Sequence, residues 1–494
     1  MKLFLTDSVG NYDTFLVFII IILTIYYLRQ RSISLMPRGP TPLPIVGNIL
    51  SYGKQPWKNI IKWAEHYGDV MTLYQGPFRT TVWINDANLA INLFQKQPDI
   101  FSERKHIPFM THEGSTEGSI VWENGPAWKT KRRWMLSALR HFGMGKRSLE
   151  KQINAEADIF CQEAAKFKSQ PFDPKHFVNC AVANIICSIS FGQRYDYLDP
   201  EFTELLKNLL AFFRQCNLSN IEMHIPSIMN LPMFRHKRIP SLYLINFLKN
   251  QVKQHKETFD PDNIRDIIDR MLSEVQISSD EEKSYTDPEH IWSSILTIFI
   301  AGAETTFSTL MWFLLYVASY QDVQAKLHEE IDRVLEGSKP TMADRTRLPY
   351  FEATTYEVQR LGNIAGTSLP HANAEEFVLK GHKIPKGTII NLNLKRIHTD
   401  PKYWHDPMTF NPARFLDEDG QKVKKLNVFM PFGIGRRACL GESLAKMEMF
   451  LFMTNFFQKF KVTIPEGHPQ PDFDPVVGLT MSPKQFKVCA IPRG

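Results

Sequence analysis

Phe429-Met430-Pro431-Phe432-Gly433-Ile434-Gly435-Arg436-Arg437-Ala438-Cys439-Leu440-Gly441-Glu442, near the carboxyl end, is the stretch on which the fold turns. Gly433, Gly435 and Ala438 match a GxGxxA dinucleotide fingerprint, which requires a strand before it and a doubly wound sheet around it. Only about 55 residues follow, and Phe457-Gln458-Lys459-Phe460-Lys461 offers no acid for a ribose. The other reading centres on Cys439. It sits between glycine-permitted turns at the start of a helix, beside Arg436 and Arg437, surroundings that favour a thiolate. No other cysteine or histidine lies within about twenty residues, so zinc has no local ligands. A single thiolate suits a haem iron, and a buried structural thiol is the plain alternative while the loop is read alone.

Upstream, Asp287-Pro288-Glu289 announces a helix, through a capping carboxylate, a first-turn proline and an acid at the positive dipole end. Its pattern runs from Pro288 to Ser319, 32 residues or roughly 48 Å. Ala301-Gly302-Ala303-Glu304-Thr305-Thr306 interrupts the apolar run with a carboxylate and two hydroxyls. A membrane span would have to hold Glu304 at mid-bilayer, so the segment reads as a helix crossing a protein body. Gly302 would admit a flat partner, and Thr305 can bond back to a carbonyl, so the stretch is expected to wall a site.

Helical spacing also covers Trp57 to His66, Gln152 to Lys168, Phe177 to Phe191, Glu201 to Cys216 and Val323 to Leu335. Strand-like pieces are fewer: a hairpin from Val70 to Tyr74 and Thr80 to Ile84, then Lys383 to Ile390 and Leu479 to Ala490. The expected architecture is mainly α with a small β portion, not an alternating βαβ fold.

The 494 residues carry 58 basic and 52 acidic side chains, a net charge of +6 that does not make nucleic acid the expected partner. The six cysteines form no CxxC pair, which excludes a disulfide scaffold and fits a reducing compartment. Thr14 to Leu28 is an apolar run preceded by Asp7 and Asp13 and followed by Arg29 and Arg31. That charge order argues against a cleaved signal and places the body on the cytoplasmic side of an uncleaved anchor. The expected organisation is therefore a membrane anchor over 1–35, a proline-rich hinge over 36–50 and a catalytic domain over 51–494. Asn217-Leu218-Ser219 is a sequon that only a lumenal body would use.

The cysteine loop also matches FxxGxRxCxG through Phe432, Gly435, Arg437, Cys439 and Gly441, and here the chain resembles the cytochrome P450 haem-thiolate monooxygenases. The resemblance spans nearly the whole chain. Residues 301–306 look like the oxygen-activating helix, Glu357-Val358-Gln359-Arg360 like ExxR, Pro412-Ala413-Arg414-Phe415 like PERF and 128–132 like WxxxR. The strings FMPFGIGRRACLGE, TSLPH (367–371) and FGMGKRS (142–148) look most like the animal microsomal family 2 group. Ala413 replaces the PERF glutamate, and Gly366 stands where many relatives have proline.

The resemblance implies a P450 fold behind an amino-terminal transmembrane anchor helix, with haem b as cofactor and Cys439 as its metal ligand. Trp128, Arg132, His371, Arg437 and Arg104 would bond the haem propionates, and Glu357, Arg360 and Arg414 would form a structural ion cluster. Thr305 would position water and Glu304 would relay protons for oxygen activation. The chain has no flavin or nicotinamide module, so the implied electron donor is NADPH-cytochrome P450 reductase, with cytochrome b5 as a further candidate. Seven basic residues and no acid between Lys129 and Arg147 suit such an acidic partner. The implied setting is the endoplasmic reticulum membrane, single-pass, with the catalytic domain facing the cytoplasm. The lid is expected between Glu201 and Leu248, where Phe212, Phe213, Ile225, Ile228, Met229, Leu231, Met233 and Phe234 adjoin Arg235 to Arg238. Ile120 to Trp122, Ala301, Ala365 and the turn at Leu479 would wall the pocket. The expected substrate is lipophilic, a fatty acid, steroid or xenobiotic, with fatty acids favoured by the cations near the entrance. The alternatives are a haem-thiolate isomerase or dehydratase that needs no O₂, and a catalytically silent haem-binding or membrane-scaffold protein.

Overall fold

A computed structural model of the chain describes residues 36–493 except 44, 45, 77, 78 and 285, together with 16, 17, 19, 20 and 24. The expected anchor therefore lies outside the described residues, apart from those five helical positions. Among the described residues helix accounts for 55% and strand for 9%, as a mainly α reading requires.

Among the described residues nine helices of 14 residues or more build the body: α1 (Gly125–His141), α2 (Arg147–Ala165), α3 (Lys175–Phe191), α4 (Pro200–Gln215), α5 (Ile239–Glu257), α6 (Ile291–Ser319), α7 (Pro349–Gly362), α8 (Glu442–Lys459) and, between α6 and α7, Gln321–Leu335. Asp287 caps as expected by accepting from Glu289 N–H, but residues 288–290 form a 3-10 turn and α6 proper begins at Ile291. From there α6 packs against α3, α5, α7 and α8, and most of it is buried. It is the one described helix with membrane-span length and hydropathy, and its apolar surface is spent on protein rather than lipid.

α1 and α5 escaped the sequence reading, while α7 and α8 entered it only as the helix carrying Glu357 and Arg360 and the helix opening after Cys439, without a periodic stripe. In α8 the cause is visible: Met447 to Phe457 is buried on every side between α2, α6 and its other neighbours, so no polar stripe marks its turns.

A five-stranded sheet stands beside the helices: β1 (Val70–Tyr74), β2 (Thr80–Ile84), β3 (Glu103–Arg104), β4 (His371–Ala372) and β5 (Ile389–Leu392), in the order β1-β2-β5-β4-β3. The 383–390 segment is divided, with His382–Ile384 pairing Phe377–Leu379 in a separate hairpin and Ile389 onward joining β2 in parallel. The 479–490 segment divides likewise. Met481–Ser482 pairs with Val476–Val477, and Cys489–Pro492 pairs with Phe460–Thr463. The described part of the proline-rich segment lies against this sheet. Thr72 N–H donates to Arg38 O at 3.3 Å and Asn48 Nδ2 to Pro40 O at 3.1 Å, so these residues are part of the body.

Candidate active site

The cysteine loop turns on two glycines with φ near +77°, Gly433 and Gly435. At Gly435 a Cβ would stand 2.2 Å from Phe94 O, so only glycine lets the loop pack there. Cys439 N–H closes the loop onto Phe432 O at 2.8 Å.

Behind the loop, Glu357 and Arg360 share a face of α7 and meet in a two-pronged ion pair, with both bonds at 2.7 Å and both side chains fully buried. Arg414 Nε adds a bond to Glu357 Oε1 at 3.0 Å, and its guanidinium also reaches His405 O and Thr409 O. Ala413 leaves this cluster intact.

The loop opens on a cavity of about 510 Å³, to which it contributes residues 431–434 and 437–441. α6 contributes Ala301, Gly302, Thr305, Thr306 and Thr309. The surface that Cys439 exposes belongs to this cavity; surrounding protein desolvates the thiol and raises its pKa, opposed by a backbone bond from Gly441 and the charge of Arg132. The flanking arginines thus do not supply the expected thiolate. Arg436 is engaged by Asp99, and Arg437 donates to Ser102 O, Glu123 O and Asn124 Oδ1. A metal ion would be needed to deprotonate Cys439. Cys216 also lines the cavity, but burial pushes its thiol far up and Glu222 adds to the rise.

Trp128, Arg132, Arg437, Arg104 and His371 converge on one wall. The Arg437 guanidinium lies 3.9 Å from the Trp128 ring centre, and Arg132 lies 5.9 Å from it. Arg132 Nη2 donates to Ala438 O at 3.0 Å, Arg104 Nη1 to Leu369 O at 2.8 Å, and His371 Nδ1 pairs with Phe101 O at 2.9 Å. Among the described residues none of the three arginines forms an ion pair, and the buried Arg104 Nε has no partner. Desolvation and mutual repulsion pull Arg104 and Arg437 down to about 9. Burial and the same cations hold His371 well below its usual range, hence neutral. Such a cluster fits a ligand carrying two carboxylates, and a thiol on the adjoining loop fits an iron at its centre, so these residues match a haem.

Thr305 faces the cavity and donates to Ala301 O at 2.6 Å, the backward bond expected of it. Glu304 does not line the cavity. Its Oε1 accepts from Thr480 at 2.8 Å, Ser308 at 2.9 Å and Ser482 at 3.3 Å, while Oε2 is buried and unpartnered. Desolvation raises its pKa to about 7 against those three bonds. Thr480, missed in the sequence, does line the cavity and links it to Glu304. Glu448 was missed too. It lies on α8, reaches the cavity, bonds Thr306 and is pushed by burial to about 8; its signal is a lone acid inside the apolar run Met447 to Met453.

Gly302 makes room for protein rather than ligand, since a Cβ there would stand 2.4 Å from Ile186 Cδ1 of α3. At Gly366 a Cβ would meet Met481 Cε at 2.3 Å, so the missing proline ring leaves space that Met481 occupies. Ile120, Val121, Trp122, Ala301, Ala365 and Leu479 all line the cavity.

In the lid segment Phe212, Phe213 and Met229 are buried, while Ile225, Leu231, Met233 and Ile239 are exposed. The cations beside them are largely committed: Lys237 pairs with Glu222 at 2.6 Å, Arg238 with Glu113 at 3.0 Å, and Arg235 donates to Asn230 O at 3.4 Å. On α1, Lys131 is buried against Glu123 and Gly118 O and exposed Arg133 pairs with Glu282 at 2.5 Å, while Lys129 and Arg140 of α1, Lys146 after it and Arg147 at the start of α2 are exposed without such an ion pair among the described residues.

A family-wide sequence model described as Cytochrome P450 matches residues 37–490. Cytochrome P450 2C23 of Rattus norvegicus is 38% identical over 478 residues, covering 94% of this chain and 95% of the relative. Cytochrome P450 2U1 of Homo sapiens is 36% identical over 492 residues, covering 94% and 90%, and cytochrome P450 2J3 of Rattus norvegicus is 38% identical over 476 residues, covering 94% and 93%. Because the matched region takes in the described body from the proline-rich segment to the last strand, the chain belongs to the cytochrome P450 family, monooxygenases that bind haem b through a cysteine thiolate.

Proposed function

We propose that the protein inserts one oxygen atom of O₂ into a lipophilic substrate at the cavity between the cysteine loop and α6, using electrons from NADPH-cytochrome P450 reductase. The observation that carries this reading is the unpaired cluster of Arg104, Arg132 and Arg437 on the same cavity as Cys439. Thiolate-ligated haem, when bound, supplies reductive activation of dioxygen. Cys439 would hold the iron, and Arg104, Trp128, Arg132, His371 and Arg437 the propionates. Thr305 holds a water by its hydroxyl oxygen, its proton being directed to Ala301 O. Glu304 exchanges protons with the cavity through the Thr480 hydroxyl.

Arg132 ties α1 to the cysteine loop at Ala438, and the exposed cations of α1 and the turn after it would offer the reductase, or cytochrome b5, a docking surface near that loop. We place the protein in the endoplasmic reticulum membrane, with 1–35 as a single-pass anchor and a cytoplasmic catalytic domain that takes in the described part of 36–50, which is bonded to the sheet rather than free to act as a hinge. Exposed Ile225, Leu231, Met233 and Ile239 suit insertion of the lid at the bilayer surface. Asn217 Nδ2 is committed to Val477 O at 3.1 Å, in keeping with a body that is not glycosylated there.

The carbon monoxide spectrum of the reduced full chain tests the site. The wild type should show the red-shifted Soret band of thiolate-ligated haem, and Cys439→Ala should abolish it. Retention of the band in the folded variant would overturn the assignment.

A further inference from the structure

Lys395 is the one primary amine among the described residues of the cavity wall. It follows β5 on the short helix Leu394–His398, where its neighbour Arg396 pairs with Asp400 at 3.2 Å. Lys395 turns inward instead and is 7% exposed. Its Nζ donates to Leu361 O, at the end of α7, at 2.6 Å, and stands 5.9 Å from the ring centre of Trp57, which lines the same cavity. Asn363, Ala365, Gly366 and Leu394 continue that wall.

Among the described residues no carboxylate pairs with this ammonium. Asp474, the acid whose charge reaches it, is itself held by Lys58 at 2.6 Å. Burial and the charge of Arg360 hold Lys395 at about 8, against the influence of Asp474. An exposed lysine titrates at about 10.4, so the neutral amine is far more populated here at neutral pH. Leu361 O is a carbonyl that the end of α7 leaves open, and any cation could cap it. An amine keeps that bond when it loses its proton, and its lone pair is then free to attack a carbonyl carbon. The remaining cations of the wall, Arg79, Arg104, Arg132 and Arg437, are guanidinium groups and offer no such nucleophile.

We infer that Lys395 captures aliphatic aldehydes that enter the cavity, holding them as a reversible imine. The activity lies beyond oxygen insertion and uses no haem chemistry. The Nζ lone pair adds to the aldehyde carbon as the carbonyl π bond opens onto oxygen, and one N–H proton passes to that oxygen. With a further proton from solvent the oxygen leaves as water, and the C=N⁺–H that remains donates to Leu361 O. No electrons are exchanged with an oxidant or reductant. Oxygen insertion at a carbon that already bears a hydroxyl gives a geminal diol, which loses water to an aldehyde, so the proposed monooxygenase reaction is one source of the ligand.

Reductive trapping on the full-length haem-loaded protein tests this. Dodecanal is added with cyanoborohydride, which reduces an imine to a stable secondary amine, and the modified lysines are mapped by peptide mass spectrometry. Lys395 should be modified at least about tenfold faster than exposed Lys129. Methyl dodecanoate cannot form an imine, and at a concentration shown by equilibrium dialysis to saturate its binding it should slow Lys395 at least about tenfold while leaving Lys129 unchanged. Lys395→Arg, which keeps a charged donor for Leu361 O, should lose the cavity adduct and retain the carbon monoxide band. The wild-type comparison stands without that variant. If Lys395 is modified no faster than Lys129, or at the same rate with the ester bound, the inference is overturned and the monooxygenase reading is untouched.

Discussion

Thr480 Oγ1 donates to Glu304 Oε1 at 2.8 Å, so the one acid in the middle of α6 meets the cavity through a hydroxyl on the turn after Val477 rather than directly. Three hydroxyls hold Oε1 while Oε2 stays unpartnered, and burial outweighs the bonds, leaving the carboxyl near half-titration at neutral pH. A group in that state can both give and take a proton.

Glu304 sets a pH dependence of stability. Its pKa rises from 4.5 to about 7 in the folded chain, so the native state holds the extra proton between those values. Stability contributed by this group therefore falls as pH rises from 4.5 to 7 and is level above. Glu304→Gln should remove that loss. Relative to wild type, the variant should gain up to about 3 kcal/mol between pH 5 and pH 8. Urea midpoints of the full chain in detergent at the two pH values check this, and an unchanged difference would show that the carboxyl does not titrate there.

Thr305→Ala should leave haem and substrate binding nearly intact while diverting electrons from product to peroxide, because the oxygen that positions water is gone. Thr305→Ser should restore most of the coupling. The ratio of product to NADPH consumed is the measurement, and equal ratios in wild type and Thr305→Ala would remove the role.

Arg414→Ala should destabilise the chain by about 3–5 kcal/mol, since the fully buried Glu357 loses one of its two arginines. Denaturant midpoints and haem retention should fall together. A loss within the ~0.5 kcal/mol typical of a surface site would show that Arg360 and Asn411 N–H satisfy Glu357 alone.

Reversing Lys129, Arg140 and Arg147 to glutamate should weaken reductase-supported turnover and flatten its dependence on ionic strength, with peroxide-supported turnover retained. These three are exposed, whereas Lys131 and Arg133 are held by Glu123 and Glu282. A parallel fall in both activities would make the patch structural.

The local arrangement of the cysteine loop, the capped start of α6 and the pairing of Glu357 with Arg360 were legible in the sequence. Each depends on residues a few positions apart: glycine at positive φ, an acid before a proline, charges three apart on one helix. The wall that each residue of 301–306 faces was not legible. Adjacent helical positions diverge by about 100°, and the packing of α3 and the 476–482 turn sends Thr305 to the cavity, Glu304 behind it and Gly302 against Ile186. Likewise Lys131 read as one of the basic run suited to an acidic partner, and Arg79 carried no reading. The partners that neutralise a charge, or fail to, come from segments brought together only by the fold, as Glu113 reaches Arg238 while no described acid reaches Arg79.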